Sequence, residues 1–232
     1  MDLCPCDINT HSFSVMLREL LSKGYQPIKD SDVLHIGAHD GIEADIYDYF
    51  QAKNVYWFEC NPYVFPNLLH RIHEKTRYSR HRAFQTALWS ESGQELEFNF
   101  YRDKRDGASG FYLPDKMFDY IKDCPLLEDK IKIKTNILNN YINDGLVDIS
   151  NTTFLNIDVQ GAELEVFKGA TKLLESDKLQ FIWCEVSWDN VYKNAPLMDD
   201  ISEYLKQYSF ISVGVRTDWA IHGDALYMRV NQ

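Results

Sequence analysis

FLNIDVQGAELEV, residues 154–166, decides the fold. Residues 154–158 read as a short buried strand, and from Ala162 onward apolar residues return at helical spacing: Ala162, Val166, Phe167, Ala170, Leu173 and Leu174. Asp158, Gln160 and Glu163 therefore fall where a strand gives way to a helix. In an open parallel α/β sheet ligands bind beyond the carboxyl ends of the strands, so this turn is expected to wall an active site.

Working outward, strand and helix signals alternate. A helix is expected over 12–21, ending at Gly24, as a lid or an N-terminal prop. Strands follow at 33–36 and 55–59, helices at 42–52 and 62–74, and a third strand at 82–88. Residues 95–101 (ELEFNFY) alternate as an antiparallel edge element would. Past residue 125 come a strand at 131–134, a short helix at 137–142 and a strand at 179–186. A helix at 199–208 and two terminal strands, 210–216 and 225–230, complete the order. Such alternation implies a doubly wound sheet with right-handed crossovers, and two final strands without a helix between them make the last one antiparallel. An N-terminal helical segment, 1–30, precedes a single domain, 31–232. The charged and aromatic stretch 102–125 is too long for an ordinary connector and suits a substrate loop.

Composition excludes several classes. The 232 residues are 45% hydrophobic, enough for one domain with a sizeable core. A net charge of −11 opposes nucleic-acid binding, and the basic run 71–82 reads as a solvated face. Five cysteines, Cys4, Cys6, Cys60, Cys124 and Cys184, form no disulfide or zinc pattern, and Cys60 and Cys184 read as buried thiols. No membrane segment or leader is visible, so a soluble cytoplasmic protein is expected.

The first strand runs into Gly37-Ala38-His39-Asp40-Gly41, a turn that lets backbone pass close to a ligand. The second strand ends in Glu59, about 20 residues on, where a carboxylate can accept hydrogen bonds from both hydroxyls of a ribose. Together these describe an adenosine pocket. A dinucleotide site would want G-x-G-x-x-G, but position 39 is His, which disfavours hydride transfer. S-adenosylmethionine carries adenosine without phosphate and suits the looser turn. His39 itself reads as a side chain packed in the turn.

VLHIGAHDGIEA (33–44), VYWFECNP (55–62), ALWSESG (87–93), GASGF (107–111), FLNIDVQGAELEVFKGA (154–170) and DALYMRV (224–230) resemble, in order, the successive blocks of the FkbM-type S-adenosylmethionine-dependent methyltransferases. The resemblance implies a class I methyltransferase (Rossmann-like) fold, a seven-stranded sheet with an antiparallel last strand, and methyl transfer to oxygen, commonly on a sugar or a secondary-metabolite hydroxyl. By the same resemblance Gly37, Ala38, His39 and Gly41 form the cofactor loop and Glu59 binds ribose. Cys60 and Asn61 stand beside adenine, and Thr86, Ala87 and Leu88 close its pocket. Two positions depart from the family pattern: His35 stands where many relatives have Asp, leaving Asp158 or a backbone carbonyl to meet the methionine amine, and Cys60 stands where proline is common.

A sulfonium is a good leaving group, so the enzyme chiefly has to align an acceptor oxygen and take its proton. Asp158 and Glu185, at the tips of adjacent strands, are the acids expected to orient or deprotonate the acceptor, with Glu163 nearby. The pair would also suit a divalent cation, but spacing fixes no histidine or third carboxylate beside it, and no metal is expected. Ser109, Phe111, Tyr112 and Gln160 are the expected acceptor contacts, with Trp188, Tyr192 and Trp219 as further wall. The expected partner is a sugar or glycan, with no nucleic acid and no membrane, and S-adenosylhomocysteine is the product. Methylation of a polyketide or other small-molecule hydroxyl, and a non-catalytic cofactor-binding module, are the competing readings.

Overall fold

Strand β1 (Asp32–Ile36) is buried at all five positions, as expected of a strand paired on both edges and covered on both faces. It lies at the centre of the computed structural model, which describes residues 7–74, 77–101, 107–116, 127–219 and 221–230. On one side β1 pairs in parallel with β2 (Asn54–Glu59), and β2 with β3 (Arg80–Gln85). On the other side it pairs in parallel with β7 (Thr152–Ile157), which pairs with β8 (Phe181–Ser187). Strand β10 (His222–Arg229) inserts antiparallel between β8 and β9 (Phe210–Trp219). The seven-stranded order is β3-β2-β1-β7-β8-β10-β9, the expected sheet with its last strand reversed.

Alternate side chains of these strands leave opposite faces, and each face is covered by its own helices. Val33, Val55, Trp57 and Phe154 pack against Phe13 and Leu17 of α1 (Ser12–Ser22), Tyr47 of α2 (Ala44–Tyr49) and Leu68 of α3 (Phe65–Glu74). Leu34, Ile36, Phe58, Leu155 and Ile157 face the other way. They meet Leu138 of α4 (Leu138–Asn143), Phe167 of α5 (Glu163–Lys168), Leu173 of α6 (Thr171–Glu175) and Ile201 of α7 (Met198–Lys206). Helix α1 buries Phe13, Met16, Leu17 and Leu20, each worth about 1.5–3 kcal/mol on full burial. An 11-residue helix marginal by itself is thereby fixed to the sheet.

Several expectations need correction. The run 82–88 is not one strand: β3 stops at Gln85, and Thr86 N–H donates to the Glu59 carbonyl at 3.0 Å where the chain leaves the main sheet. Ala87 and Leu88 form β4, which pairs with β6 (Leu127–Asn136). Residues 95–101 form β5 (Glu95–Tyr101), an antiparallel edge strand as expected, in a smaller sheet ordered β4-β6-β5. The helix after Ala162 breaks at Gly169, where a Cβ would fall 2.0 Å from the Trp89 carbonyl oxygen.

The basic run 71–82 is not uniformly solvated either. Arg71 is 1% exposed and ties α3 to the turn after β1, donating through Nε to the Asp40 carbonyl at 3.1 Å and through Nη2 to Asp40 Oδ2 at 2.9 Å. Cys184 is buried as expected, but Cys60, just past β2, is only half-buried. Cys4, Cys6, Cys124 and most of the 102–125 stretch lie outside the described residues.

Candidate functional site

The end of β1 crosses the end of β7 so closely that only glycine passes. A Cβ on Gly37 (φ +80) would fall 1.6 Å from the Asp158 carbonyl oxygen. The N–H groups of Gly37 and Ala38 donate to the Phe58 carbonyl at 2.9 and 3.1 Å, leaning the turn toward β2. His39, at φ +48, then aims its N–H at Glu59 Oε2, 2.7 Å away, while Asn61 N–H donates to Oε1 at 2.6 Å. Two backbone donors thus fix the Glu59 carboxylate and leave further lone pairs on each oxygen. Burial pushes this carboxyl up, and the N–H groups of Asn61 and His39 oppose that.

A cavity of about 290 Å³ opens over Glu59. Of the residues expected at a cofactor, Gly37, His39, Glu59, Cys60, Asn61, Thr86, Ala87, Leu88 and Asp158 line it. Ala38 lines the neighbouring cavity instead. Gly41 lines neither: a Cβ there would lie 2.5 Å from Leu68 Cδ1, so this glycine serves the packing of α3 against the turn. The His39 side chain is 43% exposed, with Nδ1 3.7 Å from Asp40 Oδ1, and is not packed in the turn as expected.

Phe111, Ser109 and Gln160, expected at an acceptor, line the same cavity as Glu59, together with Phe98. Phe111 packs edge-on against Phe98, with ring centroids 5.1 Å apart. Tyr112 does not line it and stacks on Trp89, with centroids 6.3 Å apart. Residues 107–116 are pinned at two places. Gly110 and Asn99 exchange backbone hydrogen bonds of 2.9 and 3.1 Å. Lys193 N–H donates to Leu113 O at 2.7 Å, and Asp115 N–H to Val191 O at 2.8 Å.

Beyond Gly37 lies a second cavity of about 240 Å³ that shares Gly37, His39 and Asp158 with the first. Its floor is built by strand register: His35 lies beside Asn156 on β7, and Asn156 beside Trp183 on β8. Asn156 Nδ2 donates to Tyr47 Oη at 3.0 Å, and His35 Nδ1 lies 3.1 Å from the same oxygen. Burial pushes the His35 imidazole down to about 3, so it is neutral and is no substitute for an acid. The walls are acidic: Glu43 at the start of α2, Asp40, Asp158, Glu185 and Asp224, faced by His11 and Ser12. The sequence reading singled out neither Glu43, His11 nor Asp224.

Asp158 is exposed and opens onto both cavities. Carboxylate oxygens of Asp158, Glu163 and Glu185 come within 4.8 Å of one another. Gln160, in the left-handed region at φ +57, bridges two of them: Nε2 donates to Asp158 Oδ1 at 2.5 Å and to Glu185 Oε1 at 3.1 Å. Its Oε1 accepts from the Tyr192 hydroxyl. His222, also missed in the sequence, places Nε2 2.8 Å from Glu185 Oε1. Burial, then the charge of Asp158, pushes Glu185 well up; burial also raises Asp158, opposed by the Gln160 amide. Three carboxyls this close do not all ionise at neutral pH, so the group shares protons.

Glu163 is pushed up to about 8 by burial and by the charge of Glu185. Its Oε1 accepts from Val159 N–H at 2.9 Å and Gly161 N–H at 3.3 Å, so it faces the backbone of the turn and lines neither of these two cavities. Its carboxylate nonetheless lies beside those of Asp158 and Glu185, near them as expected. Trp188 is 38% exposed, Tyr192 is buried, and the side chain of Trp219 lies outside the described residues.

The sequence model of the methyltransferase FkbM domain matches residues 35–212. Among solved structures, magnesium protoporphyrin IX methyltransferase from Synechocystis PCC 6803 with bound S-adenosylhomocysteine is similar over 96% of this chain and 84% of its own, at 8% identity and a TM-score of 0.50. Aeropyrum pernix fibrillarin with bound S-adenosylmethionine is similar over 92% of this chain and 74% of its own, at 14% identity and a TM-score of 0.50. Likeness at such identity establishes the fold alone. No curated protein matches the sequence significantly. Among the described residues no helix is long and apolar enough to cross a membrane.

Proposed function

The chain belongs to the methyltransferase FkbM domain family, and on that premise we propose that it transfers a methyl group from S-adenosylmethionine to a hydroxyl of a sugar or glycan. One observation carries the reading: Glu59 and Asp158 stand on either side of Gly37 in connected cavities at the carboxyl ends of β1, β2 and β7. The residues fit the donor. Glu59, held by two N–H groups, keeps lone pairs for the ribose hydroxyls, and Leu88, Phe98 and Phe111 supply apolar surface for adenine. That two proteins of the same fold hold S-adenosylhomocysteine or S-adenosylmethionine supports the choice.

When bound, S-adenosylmethionine supplies an electrophilic methyl group on a good leaving group. What remains for the chain is to hold the acceptor in line and to take its proton. Asp158 takes the proton from the acceptor hydroxyl, and Glu185, hydrogen-bonded to it, holds a proton of its own beside His222. Gln160 positions both acids and, with Ser109, offers the acceptor polar contacts. Glu163 holds the turn that carries them.

Among the described residues the lining of both cavities carries no lysine or arginine, which suits an uncharged hydroxylated acceptor. A cytoplasmic location goes with this reading, supported by the unpaired thiols of Cys60 and Cys184. The test is incubation with S-adenosylmethionine and a panel of free sugars, glycosides and polyketide alcohols, read by mass spectrometry. A methylated sugar hydroxyl is expected; a product methylated on an amine, carboxylate or nucleobase would refute sugar O-methylation.

A further inference from the structure

We propose that Glu43 is the carboxylate that binds the α-ammonium group of the methyl donor, in place of an acid at position 35. The inference rests on the donor being S-adenosylmethionine, and it follows from how the two cavities join. They share Gly37, His39 and Asp158, so a ligand whose ribose lies over Glu59 continues past Gly37 into the second cavity. Carboxylates dominate that cavity, and among the described residues no lysine or arginine lines it, which suits the cationic end of an amino acid.

Most of its acids are already engaged. Asp40 accepts from Arg71 at 2.9 Å, Asp158 from Gln160 at 2.5 Å, and Glu185 from Gln160 at 3.1 Å. Asp224 receives the Ser12 hydroxyl at 3.5 Å. Glu43 is left facing the cavity, with His11 Nε2 3.7 Å away and burial pushing that imidazole down toward its neutral form. Position 35, on the floor, is neutral and bound to Tyr47. His11 faces the same space and offers a ring N–H to the carboxylate of the ligand.

The groups around Glu43 are His11 from the start of α1, His39 and Asp40 from the turn, Asp158 from β7 and Tyr47 from its own helix. Burial, with the charges of Asp158 and Asp40, pushes its carboxyl up to about 7. An ammonium binds the ionised form, so affinity should climb as pH rises through about 7.

Two product-like ligands isolate the contact. S-adenosylhomocysteine carries the amino-acid end, and 5′-methylthioadenosine lacks it. By calorimetry, Glu43→Gln should weaken S-adenosylhomocysteine roughly tenfold or more and flatten its rise in affinity between about pH 6 and 7.5. Binding of 5′-methylthioadenosine, which also reports that the variant is folded, should stay within about twofold, since no charge-assisted bond to it is lost. Glu43→Asp, which keeps the charge, should recover part of the loss. Unchanged S-adenosylhomocysteine affinity in Glu43→Gln, or an equal loss for both ligands, would overturn the assignment while leaving the cofactor reading intact. Binding of neither ligand to the unmodified protein would overturn both.

Discussion

The two arms of the cleft are built from the same strand ends yet have opposite character. On the β2 side, apolar side chains, Leu88, Phe98 and Phe111, surround one fixed carboxylate, Glu59. On the α1 side the floor is His35, Asn156 and Trp183, and the walls carry Glu43, Asp40, Glu185 and Asp224. Gly37 and Asp158 stand where the arms meet. On the proposed function the difference separates two tasks: one arm would recognise a flat ring and a diol by shape and a single acid, and the other would manage charge and protons.

The largest effect should come from the junction. Asp158→Asn keeps shape and removes the base, and methyl transfer should fall by about 10²-fold or more, the scale of general-base loss. Affinity for S-adenosylhomocysteine should change far less, because on the proposed mechanism Asp158 acts on the acceptor's proton. Near-normal turnover in single-turnover assays would mean that the proton leaves by another group and that the division between arms is misplaced.

A smaller effect belongs to the apolar arm. Phe111 shares a cavity with Glu59, so Phe111→Ala should weaken both S-adenosylhomocysteine and 5′-methylthioadenosine, by about 0.5–1.5 kcal/mol each. Titration of the variant with both ligands checks it. A higher acceptor KM with unaltered binding of either adenosine ligand would return Phe111 to the acceptor.

What could be read in the sequence was local. The glycine turn, Glu59 twenty residues on and the 154–170 block each stand out within a few neighbours, and the structure brings Gly37, Glu59 and Asp158 to one cavity. What could not be read depends on pairing between distant segments. His222 meets Glu185 only because β10 inserts between β8 and β9, and no periodicity in the chain shows where a final strand will insert. Residues 82–88 look like one strand because nothing between Ala83-Phe84 and Ala87-Leu88 signals a turn; the ladder to β2 ends with Thr86 N–H donating to the Glu59 carbonyl, and Ala87 and Leu88 pair with β6 instead. Arg71 looked like surface charge, since a buried arginine and an exposed one share the same helical spacing until Asp40 is found beneath it. Glu43 was overlooked because its cavity takes walls from α1, α2, β7, β8 and β10 at once.

The central claim is that the arm holding Glu59 is an adenosine site, and calorimetric titration of S-adenosylhomocysteine into the unmodified protein and into Glu59→Gln tests it most directly. The account predicts one site per chain, with affinity lowered in the variant by about 1.5–3 kcal/mol, the scale of hydrogen bonds to a charged group. Equal affinity in a folded Glu59→Gln protein, or tight binding of a nicotinamide dinucleotide in place of S-adenosylhomocysteine, would contradict it.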